Sequence, residues 1–91
     1  MDAKPLGPLN PDLVEILGMP NFRAGPIAHL FVAAGEEKIE PAAETEQAFV
    51  LHWLLGLYLE HGSDWKPIAS EKIRTMIAKV RAAKAAEAAA T

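Results

Sequence analysis

The sequence predicts an all-α domain, a small bundle of about four helices around a central apolar helix at residues 41–61, with a long carboxyl-terminal helix at residues 65–88. Apolar residues recur at helical spacing, and most glycines and prolines lie between the apolar stretches. The chain has 91 residues, of which 51% are hydrophobic and 23% are charged, as expected for one globular domain. We therefore expect a single core.

The two ends of the chain differ from its middle in composition. Residues 1–9 contain prolines and a glycine but few side chains to bury, which predicts a mobile amino-terminal arm. The single helical domain is expected to cover residues 10–84. Residues 85–91 are mostly alanine, which predicts a helical tail that frays unless a partner holds it.

Two short helices are predicted before the central one. The first is expected to begin at Asn10, whose side chain can accept a bond from a free backbone amide, and to end near Leu17. The second is expected to begin at Pro26, since proline is tolerated in the first turn, and to end near Ala34. An alternative start at Asn21 would require a bend at Pro26.

The central helix contains the stretch FVLHWLLGLYL, from Phe49 to Leu59, which is apolar around most of its circumference. Gly62 is expected to end this helix, and Asp64 can cap the next one, which begins at Trp65. The apolar stretch is about half of the roughly 20 residues that a membrane span requires, so a transmembrane helix is not expected.

A helix this apolar has more surface than the three other predicted helices can cover, which favours association with another chain. We favour a homodimer, because a two-fold pair needs no second gene product. A monomer whose helices enclose the third one, and a groove for a different protein, remain alternatives. The predicted contact surface comprises Trp53, Leu54, Leu57, Tyr58, Trp65, Ile73, Met76 and Val80.

Side chains that commonly take part in catalysis or metal binding do not occur at the spacing of a catalytic or metal-binding motif. There are no cysteines, and His29, His52 and His61 have no second metal ligand or nucleophile at the usual spacing. We interpret His29 as a partly buried residue that bonds to a backbone carbonyl. We therefore expect a non-enzyme, with no catalytic residues, metal, cofactor or small-molecule substrate.

Charge is distributed unevenly along the chain. Residues 1–64 carry three basic and ten acidic side chains, a net charge of −7, whereas residues 65–91 carry six basic and two acidic ones, a net charge of +4. The alternative function is therefore a nucleic-acid-binding regulator that uses the last helix. Its contact residues would be Lys72, Arg74, Lys79, Arg81 and Lys84. The net charge of the whole chain is negative, which argues against nucleic-acid binding.

The first residues lack the basic start and continuous apolar run of a signal peptide, and the composition lacks cysteine. Both features favour a cytoplasmic location. The sequence thus predicts a cytoplasmic interaction or assembly module, acting as an adaptor, an inhibitor or an accessory protein. Its partners are expected to be a second copy of itself and, as an alternative, another protein.

Overall fold

The computed structural model describes residues 7–90, and every regular element within them is helical, which confirms the all-α prediction. The elements are α1 (Pro11–Leu17), α2 (Asn21–Ala33), α3 (Ala43–His61), a 3-10 turn (Gly62–Asp64) and α4 (Trp65–Ala90). Since the turn joins α3 to α4 without a non-helical residue, the described chain has three continuous helical runs. The predicted count of about four is slightly off.

Parts of the predicted arm and tail cannot be compared with the structure. Residues 1–6 of the predicted mobile arm at residues 1–9 lie outside the described residues, as does Thr91 of the predicted tail. Residues 7–9 are exposed and not helical. From residue 85 to Ala90 the tail is helical.

The predicted cap of α1 is present. The side-chain oxygen of Asn10 accepts a hydrogen bond from the Leu13 backbone amide at 3.0 Å, and Pro11 is the first helical residue. The helix buries Leu13 and Ile16, which are 2% and 0% exposed. The cap therefore fixes the start of a helix whose inner face belongs to the core.

The predicted start of the second helix at Pro26 is wrong, because α2 already begins at Asn21. Proline lacks the amide that would bond to the carbonyl of Phe22, but Phe22 is 77% exposed, so water can replace that bond. Gly25 precedes the proline and has no Cβ to collide with its ring. The early start also places Ala24 in the core, at 0% exposure.

Helix α3 is central, since it contacts α1, α2 and α4. It begins at Ala43, two residues after the predicted start at residue 41. Gly62 ends it with φ 61°, a backbone conformation that favours glycine. Val50 and Leu54 are its most buried residues, at 0% and 2% exposure. The polypeptide then turns, and α4 packs back against α3 and α2.

The core consists of two adjoining clusters of side chains. The larger lies between α1, the first part of α2, α3 and the start of α4; its buried members are Ile16, Met19, Ala24, Ala28, Val50, Leu54, Trp65 and Ala69. In the smaller cluster Phe31 packs edge-on against Phe49 and Trp53, with ring centroids 4.9 Å and 5.0 Å apart. Met76 of α4 closes this cluster and is 0% exposed.

Helix α4 extends beyond the body of the protein. Val80 is its last half-buried residue, and every residue from Arg81 to Ala89 is exposed. The radius of gyration is 15.1 Å, whereas a compact domain of this length has about 12 Å. We call residues 81–90 the overhang. The overhang is helical, and its residues from Arg81 to Ala89 are not members of either core cluster of the described chain.

Candidate interaction surface on α3

One face of α3 is incompletely covered by the rest of the chain. Residues at helical spacing along this face form an open groove of about 380 Å³, which we call the α3 groove. It is lined by Phe31, Glu37, Phe49, His52, Trp53, Gly56, Leu57 and Glu60. Six of these residues belong to α3 itself, so the groove follows the axis of that helix.

Trp53 and Leu57 are two of the large apolar side chains that line the α3 groove. Both side chains are half-buried, and both pack against the core from one side. Trp53 is held by its edge-on contact with Phe31. A large aromatic ring that is fixed by the core and still open to solvent is the type of side chain that contributes strongly to protein interfaces.

Gly56 leaves a gap in the middle of the α3 groove. A Cβ atom built at this position would meet no other described atom within 4 Å. Glycine inside a helix costs about 1 kcal/mol relative to alanine, and no packing contact within the described chain requires it here. His52, Gly56 and Glu60 lie at intervals of four residues on one side of the helix, and all three are exposed.

Two carboxylates make the edge of the α3 groove acidic. Glu37, in the connection between α2 and α3, forms no ion pair with any residue of the described range 7–90. Glu60 lies 3.7 Å from the ring nitrogen of the neighbouring His61. The groove thus combines an apolar floor with negative charge at its margin.

The structure divides the predicted contact residues into separate groups. Trp53 and Leu57 line the α3 groove. Leu54, Trp65 and Met76 lie in the core of the single chain, at 2%, 3% and 0% exposure. Ile73 and Val80 are half-buried against the smaller cluster and do not line the groove. The sequence missed Phe49 and Gly56 as lining residues, although both lie at helical spacing from Trp53.

Tyr58 is occupied within its own chain. The Asn10 side-chain amide donates a hydrogen bond to the Tyr58 hydroxyl at 2.8 Å. Because the oxygen of the same Asn10 side chain caps α1, this residue joins the start of α1 to the last part of α3. Tyr58 therefore acts as a structural residue in the fold and does not line the α3 groove.

Trp65 lines a second, smaller cleft of about 100 Å³ between α1, α2 and α4. Its indole N–H is buried and has no hydrogen-bond partner among the residues that the structure describes. Lys66 and Glu15 form an ion pair beside this cleft, with 2.6 Å between their charged atoms. The cleft is too small to receive a helix.

The basic residues of α4 mostly contact acids of the same chain. Glu36 accepts hydrogen bonds from Lys72 at 2.8 Å and from Lys79 at 3.2 Å. The bond from Lys72, followed by that from Lys79, lowers the pKa of Glu36 below its ordinary value of 4.5. The two hydrogen bonds to Glu36 hold the connection between α2 and α3 against α4.

The remaining residues of the predicted nucleic-acid surface are Arg74, Arg81 and Lys84. Arg74 lies 3.5 Å from Glu71 on the same helix. Arg81 and Lys84 form no ion pair within the described part of the chain. Both belong to the overhang. Among the basic side chains of α4, Arg81 and Lys84 are therefore the two without an ion pair in the described range.

The three histidines lie in different surroundings. The interpretation of His29 is wrong, since its side chain is 70% exposed and its Nε2 lies 2.7 Å from a carboxylate oxygen of Glu46. His52 lines the α3 groove, and His61 lies beside Glu60 at the end of α3. The described residues contain no group of three or more side chains arranged to hold a metal ion.

Among residues 7–90, no helix combines the length and the apolar content needed to cross a bilayer. Comparisons of the chain with models of known protein families, with curated proteins and with solved structures gave no match. The α3 groove and the overhang are therefore the features of the described chain from which a function can be inferred.

Proposed function

We propose that this protein is a non-catalytic interaction module that forms a homodimer through the α3 groove. The observation that carries this proposal is the incomplete cover over Trp53 and Leu57, which the core holds in place on only one side. Burying a large apolar side chain stabilises an interface by roughly 1.5–3 kcal/mol. A second copy of the chain is a partner that can cover these side chains without another gene product.

The proposed role is that of an adaptor, an inhibitor or an accessory protein in the cytoplasm, which acts by occupying or bridging a partner. Another protein as occupant of the α3 groove is the alternative within the same class. For nucleic-acid binding, the available basic surface is reduced by the contacts of Lys72 and Lys79 with Glu36. Titration with duplex DNA at low salt tests nucleic-acid binding, because contacts with phosphates depend steeply on the salt concentration.

Leu57→Glu tests the proposal by placing a charge in the α3 groove. Val14→Glu is the matched control, because Val14 is also apolar and is 54% exposed on α1, outside the groove. We expect light scattering to give about twice the 9.8 kDa chain mass for the unchanged protein and for Val14→Glu, and 9.8 kDa for Leu57→Glu.

Circular dichroism of both variants verifies that the helices are retained. A dimer that withstands Leu57→Glu would place the interface elsewhere on the molecule. An unchanged protein that stays at 9.8 kDa at all concentrations would rule out the homodimer itself.

A further inference from the structure

We infer that the overhang of one copy, residues 81–90, docks in the α3 groove of a second copy, and that the reverse contact forms at the same time. This inference rests on the proposed homodimer and names the segment that fills its groove. Three features of the two surfaces support it: their charges, their shapes and their lengths.

The charges of the two surfaces are opposite. The margin of the α3 groove carries Glu37 and Glu60, and neither contacts a lysine or an arginine of the described residues. Arg81 and Lys84 lie one turn apart on the overhang, and neither has an acidic partner within residues 7–90. Unpaired charges of opposite sign guide association and fix the register of an interface.

The shapes also correspond. Arg81, Lys84 and Ala85 lie at intervals of three and one residues and share one face of the overhang, so the face that carries the two cations also carries a small side chain. Gly56 leaves the opposite surface open at the middle of the α3 groove. Small residues on both sides allow two helices to approach closely.

The lengths agree as well. Ten residues of the overhang rise about 15 Å, and the α3 residues of the groove, from Phe49 to Glu60, extend over about 17 Å. The overhang has no function in the core of its own chain, since all its side chains from Arg81 to Ala89 are exposed. In a two-fold dimer each copy contributes one overhang and one groove, so both are occupied.

Charge reversal tests the docking. One variant carries Glu37→Lys and Glu60→Lys in the groove, and a second carries Arg81→Glu and Lys84→Glu in the overhang. Each variant alone brings like charges together in its own homodimer. Sedimentation should therefore show a dissociation constant of the dimer that is raised by roughly tenfold or more. The control Glu40→Lys with Glu44→Lys makes the same charge change at exposed positions outside the groove and should dimerise normally.

Mixing the two variants provides the decisive step. In the mixed dimer, the basic overhang of one variant meets the acidic groove of the other, and the acidic overhang meets the basic groove. We expect the mixture to recover the dimer that each variant alone loses. The inference is overturned if the mixture stays monomeric or if either variant alone dimerises like the unchanged protein.

Gly56→Ala is a second variant that separates docking from folding. Its new methyl group meets nothing in the single chain but narrows the α3 groove where the overhang would lie. We expect the helices to be retained and the dimer to weaken severalfold. Dimerisation unaffected by both Gly56→Ala and the charge reversals would overturn the overhang as occupant while leaving the homodimer intact. An unchanged protein that is monomeric would remove both proposals.

Discussion

The Tyr58 hydroxyl accepts a hydrogen bond from the Asn10 side-chain amide at 2.8 Å, although the two residues are 48 positions apart. The oxygen atom of the same Asn10 side chain accepts the hydrogen bond that caps α1. One side chain thus positions the shortest helix on α3. This contact keeps α1 on the core side of α3, and the α3 groove stays open.

Tyr58→Phe is expected to lower the free energy of unfolding by about 0.5–1.5 kcal/mol, the usual net contribution of a hydrogen bond. Asn10→Ala should cost more, about 1–2 kcal/mol, because it removes the cap as well. Urea unfolding of both single variants and the double variant measures the coupling. Strictly additive losses would mean that the two residues act independently in solution.

Glu36→Gln should reduce stability at neutral pH, because it removes the carboxylate that accepts bonds from Lys72 and Lys79. The folded protein lowers the pKa of Glu36 below 4.5, so the ionised form stabilises the fold. That contribution is complete well above pH 4.5 and is lost as the pH falls below 4.5 through the lower pKa of the folded state.

The stability difference between the unchanged protein and Glu36→Gln should therefore shrink below pH 4.5 and in high salt. Glu37→Gln is the neighbouring control, since Glu37 has no ion pair within the described residues. A difference that persists unchanged at pH 3 would contradict this account of Glu36.

Gly56→Ala should stabilise the single chain by about 1 kcal/mol, since alanine is the better helix former. The space beside Gly56 is open, so the methyl group adds no collision within the monomer. Urea unfolding in a Leu57→Glu background measures this effect without a contribution from association. A loss of stability would mean that this segment packs more tightly than the structure describes.

Local sequence signals were sufficient to place three of the four α-helices. Asn10 and Pro11 identify the start of α1, and Gly62 followed by Asp64 separates α3 from α4. The predicted start of α2 at Pro26 is wrong, because proline is common in the first turn of a helix but here lies inside one that begins at Asn21. The sequence does contain the relevant clue, since Gly25 before the proline relieves the collision that normally ends a helix there.

The orientation of α3 can be derived from its sequence only in part. His52, Gly56 and Glu60 mark a narrow exposed arc, but apolar residues occupy the rest of the circumference, so the pattern does not show which of them face the core. Leu54 and Leu57 therefore looked equivalent, but the first is 2% exposed and the second lines the α3 groove. Contacts between distant residues, such as His29 with Glu46, have no signature in a single sequence.

The open face of α3 is proposed to be covered by a second copy of the chain. Sedimentation equilibrium of the unchanged protein over a wide concentration range measures whether the dimer forms. We expect a concentration-dependent mass that rises to about twice 9.8 kDa. A mass that stays at 9.8 kDa up to millimolar protein would contradict it.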